Sequence, residues 1–196
     1  NENYVQPDMP EGVEDGIIRG MYRLRQSASD APLRVQLMGA GTILREVEAA
    51  ASILENDYGV AADIWSLTSI NELQREGKAV QRWNMLHPGE TPRVPYVTGL
   101  LQGETGPCVA ATDYVKAYTD QIREFIPGNF MVLGTDGYGR SDTRGKLREF
   151  FEVSREFVVL AALTALAQEG SIESARVSAA IAALGIDPDK VDPVTV

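Results

Sequence analysis

The stretch Phe130-Met-Val-Leu-Gly-Thr-Asp-Gly-Tyr-Gly-Arg-Ser141 decides the fold of this 196-residue chain. Its first four residues are apolar and predict a short buried strand. Three glycines follow, and glycine permits positive φ and a close backbone approach. Ser141 and Asp142 then predict the cap of the next helix. The stretch therefore predicts a strand, an exposed loop and a helix.

Two interpretations of this loop stay open from the residues alone. In an open α/β sheet, a loop at the carboxyl end of a strand is where ligands and partners are usually met. The alternative is a tight structural crossover without a ligand, because glycine-rich loops are common. Asp136 lies between the glycines, and we expect its carboxylate to bind local amides or Arg140. Arg140 and Arg144 either hold an anion, pair with aspartates or face solvent.

Four other segments also predict strands, and helical patterns alternate with them. This alternation predicts an α/β fold, with three layers (α/β/α) and a five-stranded, mostly parallel sheet. One edge strand is expected to run antiparallel, because the short turn after it suits a hairpin. The four predicted segments are Met21 to Arg25 (the antiparallel edge), Leu33 to Met38, Asp63 to Thr68 and Cys108 to Ala111.

The domain organisation follows from the absence of any linker-like segment. Residues 1–12 predict an extended N-terminal arm, because Pro7 and Pro10 fix φ and remove backbone donors. We expect residues 13–196 to form a single domain, because no segment within them resembles a linker. No apolar run is long enough to span a bilayer, and no leader is visible, so we expect no membrane association and a cytoplasmic location.

The net charge of −10 argues against nucleic acid, whose binding depends on Lys and Arg at phosphates. It is compatible with a basic protein partner and equally with simple solubility. Cys108 is the only cysteine and lies in an apolar run, which predicts a buried, unreactive thiol.

Motifs for catalysis are missing from this sequence. His87 is the only histidine, so neither a histidine-based metal site nor a Ser-His-Asp triad can form within one chain. We therefore expect a structural role for it. The Gly39-Ala-Gly41 turn resembles a dinucleotide fingerprint, but Leu44 stands where the third glycine belongs.

Two segments carry residues that we assign as candidate interface or structural-loop positions. Trp83, Met85 and Tyr138 are unusual in loops that face only water, and interfaces favour aromatic and Arg residues. The alternative is that Trp83 and Tyr138 are buried in the core of their own domain. The candidate positions are Arg82, Trp83, Met85 and His87 in the first segment, and Asp136, Tyr138, Arg140 and Ser141 in the second.

Several stretches together resemble a known family. The chain is similar over residues 1–196 to the C-terminal part of the homodimeric bacterial pyruvate dehydrogenase, the decarboxylating component of the pyruvate dehydrogenase complex. The stretches that carry this resemblance are Glu2-Asn-Tyr4, Met9-Pro-Glu-Gly12, Arg82-Trp-Asn-Met-Leu-His-Pro88, Glu90-Thr-Pro-Arg-Val-Pro-Tyr96, Thr112-Asp-Tyr114 and Val132-Leu-Gly-Thr-Asp-Gly-Tyr-Gly-Arg-Ser-Asp142.

The resemblance implies a transketolase C-terminal-like fold and a role within a larger enzyme. The family holds thiamine diphosphate and Mg²⁺ with its first two domains, through a Gly-Asp-Gly motif followed by Asn-Asn. Gly134-Thr-Asp-Gly137 is not that motif. The resemblance therefore implies the third domain only, and no catalytic, cofactor-binding or metal-binding residue is carried over to this chain.

The implied whole enzyme decarboxylates pyruvate and reductively acetylates the lipoyl group of the dihydrolipoyl acyltransferase component. This domain would serve dimerisation and assembly and would be inactive alone. Its implied partners are the remaining domains, a second subunit and the acyltransferase component. The alternative is a stand-alone acidic module that docks a basic protein. The chain begins with Asn1 rather than Met, which favours the first hypothesis.

Overall fold

A computed structural model describes residues 8–196, in which helices cover both faces of one sheet. The strands stand in the order β1-β3-β2-β4-β5. Strands β2 to β5 run parallel, and β1 runs antiparallel to β3 at the edge. This confirms the predicted fold class. The strands are β1 (Met21–Arg25), β2 (Leu33–Ala40), β3 (Val60–Leu67), β4 (Cys108–Ala111) and β5 (Phe130–Leu133).

The helices divide between the two faces of the sheet. One hydrophobic core lies under α2, α7 and α8, and a second lies under α3, α4 and the turn after α5. The helices are α1 (Glu14–Arg19), α2 (Leu44–Tyr58), α3 (Ile70–Leu86), α4 (Tyr96–Leu101), α5 (Lys116–Asp120), α6 (Arg144–Phe150), α7 (Arg155–Gln168) and α8 (Ser174–Ala183).

The antiparallel edge strand was predicted correctly, but its partner was not. Strand β1 pairs with β3, so β1 and β2 do not form the expected hairpin. The connection instead passes the fully buried Asp63 of β3, which accepts hydrogen bonds from Ser27 N (2.8 Å) and from the Arg34 guanidinium (2.7 Å). A buried carboxylate requires such partners. They fix the chain between β1 and β2 across the end of β3.

Helix α3 approaches its neighbours closely at Gly77. A Cβ atom at this position would lie 2.5 Å from the ring of Phe125, so only glycine fits without movement. Ser69 caps the helix by accepting a hydrogen bond from Glu72 N at 3.3 Å, which is half of a capping box. The other half is absent, because the Glu72 carboxylate pairs with Arg75.

Most of the predicted N-terminal arm lies outside the described residues. Of its described part, residues 8–10 have no regular structure and residues 11–12 form a turn. None of the helices within residues 8–196 combines the length and the apolar character that crossing a bilayer requires.

Candidate functional site

The candidate site lies where the parallel strands β4 and β5 end, and hydrogen bonds join the two loops that follow them. Thr135 donates its backbone N–H to the carbonyl of Tyr114 (2.9 Å) and its hydroxyl to the carbonyl of Asp113 (2.6 Å). Gly134 permits this contact, since a Cβ there would lie 2.6 Å from the Tyr114 oxygen. The first glycine of the motif is therefore required by a close backbone approach.

Asp136 completes the connection between these loops. Its Oδ1 accepts a hydrogen bond from the backbone N–H of Lys116 at 2.9 Å, and its Oδ2 lies 4.0 Å from Lys116 Nζ. We expected a local amide or Arg140 as the partner. The Lys116 amide belongs instead to the neighbouring loop, and the guanidinium of Arg140 lies 4.4 Å from the ring centre of Phe150.

The second glycine of the motif meets the C-terminal end of the chain. Gly137 has a φ of 102°, and a Cβ there would collide with the carbonyl oxygen of Pro193. Asp192 orders that turn by accepting a hydrogen bond from Val194 N at 3.0 Å. The loop is thus held from two sides, and Tyr138, directly after it, is 81% exposed.

The predicted cap at Ser141 and Asp142 is wrong by one to two residues. Thr143 precedes the first turn of α6 and makes no side-chain cap hydrogen bond. Asp142 instead accepts a hydrogen bond from the N–H of Thr143 at 2.6 Å, while Ser141 is exposed. The glycine loop is therefore longer than its sequence indicated.

The segment around Trp83 is not the loop that the sequence suggested. Arg82, Trp83 and Met85 lie in the last turns of α3, and His87 follows the helix. The imidazole of His87 stacks on the indole of Trp83 with ring centres 4.3 Å apart, and its Nδ1 donates to the Trp83 carbonyl at 2.8 Å. Met85 is 71% exposed. Trp83 and His87 therefore contact each other, while Met85 faces outward.

Two residues that sequence reasoning missed complete this segment. The amide of Asn84 donates to the carbonyl of Arg93 (2.9 Å) and accepts from the N–H of Arg93 (2.8 Å). The guanidinium of Arg93 lies 3.8 Å from the ring centre of Trp83. The residues from 88 to 95 are thereby fixed to the end of α3. No sequence periodicity signals a contact of this kind, because its two partners belong to different local structures.

The two candidate segments lie on different sides of the sheet. The segment around Trp83 ends α3, which packs on the second core. The segment around Tyr138 leads into α6, and Arg148 of α6 is hydrogen-bonded to Glu46 of α2 on the other face of the sheet. No hydrogen bond or ring contact recorded within residues 8–196 connects Trp83, Met85 or His87 to Asp136, Tyr138, Arg140 or Ser141.

A buried glutamate that sequence reasoning also missed stabilises the helices behind the site. Glu46 of α2 is 4% exposed and accepts hydrogen bonds from Arg148 (3.0 Å) and from the backbone and side chain of Arg155 (3.0 Å each). Burial alone raises the pKa of Glu46, but the hydrogen bonds and charge of Arg155, with the charge of Arg148, outweigh burial and lower it.

Within residues 8–196, neither Cys108 nor any cluster of metal-binding side chains supports nucleophilic or metal-dependent chemistry. Cys108 is 2% exposed, and burial raises the pKa of its thiol to about 12, so the thiol stays protonated. Within residues 8–196 no group of three or more His, Cys, Asp or Glu side chains is placed to hold a metal ion. The predicted burial of this thiol is confirmed.

The mixed sheet and its flanking helices define a class of domain. The family model described as transketolase-like TK C-terminal domain matches residues 20–154, and the chain belongs to this family. Among solved structures, the transketolase of Leishmania mexicana superposes with a TM-score of 0.51 at 17% identity, over 79% of this chain and 19% of that one. At this identity the likeness shows the fold alone.

More similar relatives confirm the resemblance to the bacterial pyruvate dehydrogenase. The pyruvate dehydrogenase E1 component of Pseudomonas aeruginosa is 58% identical over 195 residues, which is 99% of this chain and 22% of that protein. The E1 component of Escherichia coli K12 is 51% identical over 194 residues, which is 98% of this chain and 22% of that protein. The chain thus spans about a fifth of the length of these relatives.

Proposed function

We propose that this chain is the assembly domain of a pyruvate dehydrogenase E1 component and is not catalytic alone. The similarity of almost the whole chain to E1 components carries the proposal. In the complete enzyme, bound thiamine diphosphate supplies the carbanion chemistry for decarboxylating pyruvate. The acetyl group would then pass to the lipoyl group of the dihydrolipoyl acyltransferase component. Such an enzyme implies a cytoplasmic homodimer.

The residues of this chain do not fit thiamine diphosphate and Mg²⁺. A magnesium diphosphate site needs carboxylate or amide oxygens around the ion. Asp136, the one aspartate within the glycine motif, already accepts a hydrogen bond from Lys116. Within residues 8–196, no three His, Cys, Asp or Glu side chains lie close enough together to hold a metal ion. The proposal accordingly assigns the cofactor to the other domains of the enzyme and no catalytic step to this chain.

Exposed side chains on rigid supports favour the assembly role. Met85 and Tyr138 are the most exposed large hydrophobic residues of the two candidate segments. Tyr138 follows a loop held by Lys116 and Pro193, and Met85 lies on a helix held at its end by Asn84. Large apolar side chains on a fixed backbone are typical of contact surfaces. Little conformational entropy is lost on binding, because the backbone is already ordered.

The test is a chimera of the Pseudomonas aeruginosa enzyme in which this chain replaces the matching region. We expect the chimera to decarboxylate pyruvate in the presence of thiamine diphosphate and Mg²⁺. The control is the same enzyme without the region, which we expect to be inactive. A folded chimera that is as inactive as the deletion would contradict the proposal.

A second candidate function is a stand-alone acidic module that docks a basic protein, which the net charge of −10 favours. The mass of the intact protein in its native source separates the two candidates. A species near 21.3 kDa would support the module, and a several-fold larger one would support the enzyme domain.

A further inference from the structure

A cleft of about 310 Å³ opens beside the glycine loop, at the carboxyl edge of the sheet. It lies between the single turn after β2, the loop after β5 and helix α6. Its size is at the small end of the range for ligand sites, which suits a molecule of a few heavy atoms. The residues used below are Ile43, Asp113, Arg140, Arg144, Leu147 and Phe151.

Arg140 supplies positive charge to this cleft. Its guanidinium lies over the ring of Phe150, with 4.4 Å from Cζ to the ring centre, and it forms no ion pair within residues 8–196. Stacking holds the plane of a guanidinium while its N–H groups remain available at the edge. Arg144 and Arg148 also line the cleft, and Arg148 forms an ion pair with Glu46.

The backbone of the glycine loop supplies further donors. Within the described part of the chain, none of the backbone N–H groups from 136 to 142 donates a hydrogen bond. Backbone amides without a protein acceptor, next to an arginine, are the kinds of donor from which oxyanion sites are built.

The cleft lining also contains apolar side chains and one carboxylate. Ile43, Leu147 and Phe151 contribute apolar surface, and Asp113 contributes a carboxylate. The apolar side chains suit a hydrocarbon body, and the Asp113 carboxylate disfavours a ligand that carries more than one negative charge. These features select a molecule with one charged head and one apolar end.

We propose that this cleft binds a small organic anion, in which an oxyanion head contacts Arg140 and the glycine-loop amides and a short hydrocarbon body contacts Ile43, Leu147 and Phe151. The head is a carboxylate or a phosphate ester, since both present the same oxygens. The site is separate from the chemistry of the proposed enzyme and does not depend on that proposal.

The test is a titration of the isotopically labelled 196-residue chain, followed by its backbone amide resonances at constant ionic strength. The ligands are acetate, butanoate, inorganic phosphate and butyl phosphate. We expect saturable shifts at residues 137–141, with each butyl compound binding about tenfold tighter than its short counterpart because two or more methylenes are buried. The tighter butyl compound then identifies the head as carboxylate or phosphate.

Two variants make the test specific. Arg140→Gln should weaken the binding of butanoate and butyl phosphate about tenfold, the effect of losing a charge-assisted hydrogen bond. Arg82→Gln removes the same charge from an exposed position outside the cleft and should leave binding unchanged. Equal affinities for short and butyl ligands, equal effects of the two variants, or shifts without saturation would each overturn the proposal. Unchanged melting temperatures exclude unfolding as the cause.

Discussion

The carboxylate of Asp136 and the backbone N–H of Lys116 form a hydrogen bond of 2.9 Å that joins the loops after two neighbouring strands. The same two loops are joined by Thr135 and the carbonyls of Asp113 and Tyr114. The position of the glycine motif is therefore set by contacts across the sheet edge.

Removal of the Asp136 carboxylate should destabilise the domain. We expect Asp136→Ala to lower the free energy of unfolding by about 1–3 kcal/mol, because the Lys116 amide loses a charged acceptor. Urea denaturation measures the change. Asp136→Asn, which keeps an acceptor oxygen, should cost less. An unchanged midpoint in Asp136→Ala would mean that the carboxylate serves only a solvated or functional role.

Glu46 should make stability depend on pH. Its pKa in the folded protein lies below its ordinary value, so the stability it contributes is fully present above the unfolded pKa of about 4.3. That contribution is lost as the pH falls through the lower folded pKa, because protonation then favours the unfolded chain. Wild type and Glu46→Gln should therefore differ at neutral pH and converge in acid.

The size of this difference follows from the partners of Glu46. Glu46→Gln should cost about 1–3 kcal/mol at pH 7, since charged hydrogen bonds to Arg148 and Arg155 are lost. Thermal unfolding from pH 7 to pH 3 measures both variants. A difference in unfolding free energy that stays constant over this range would contradict the assigned charge interaction.

Gly77 should resist replacement although it lies within a helix. Alanine is favoured over glycine in a helix interior by about 0.5–1 kcal/mol, but the contact with Phe125 should outweigh this and leave Gly77→Ala destabilised by about 1–3 kcal/mol. Gly145→Ala in α6 is the matched control, because no atom lies within 4 Å of its added Cβ. Equal melting temperatures for both variants would contradict the close packing of α3.

The isolated chain should not bind thiamine diphosphate, since its carboxylates do not gather into a magnesium site within residues 8–196. Calorimetric titration with thiamine diphosphate and Mg²⁺ should show no heat beyond dilution. A micromolar site would mean that cofactor contacts had been assigned to the wrong domains.

Local patterns were sufficient to predict the strands and the layers, because apolar runs and glycine turns determine these within a few residues. The partner of β1 was not predictable in this way. Beside that pairing, the buried Asp63 of β3 accepts hydrogen bonds from Ser27 and Arg34 on other parts of the chain. The spacing of residues in the sequence does not reveal which buried carboxylate will bind the segment between β1 and β2.

The contacts made within the two candidate segments were not predictable from the sequence. Trp83 appeared unusual for a loop, yet it belongs to α3 and stacks on His87, four residues later. A separation of four residues is typical of a helix, but Pro88 made a helix in this segment hard to predict. Asp136 was expected to bind close by and instead binds Lys116, because neighbouring parallel strands bring separate loops together. Tyr138 is 81% exposed, so the alternative that it is buried in the core of its own domain is wrong.

The most direct test of the assembly role is sedimentation of the isolated chain over a wide concentration range. We expect reversible dimerisation of the wild type, which Met85→Ser with Tyr138→Ser weakens at least about tenfold without lowering the melting temperature, because both side chains are exposed. Trp83→Ala is the control and should lower the melting temperature with little effect on association. A wild type that stays monomeric at the highest concentration, or dimers unaffected by the double substitution, would contradict the account.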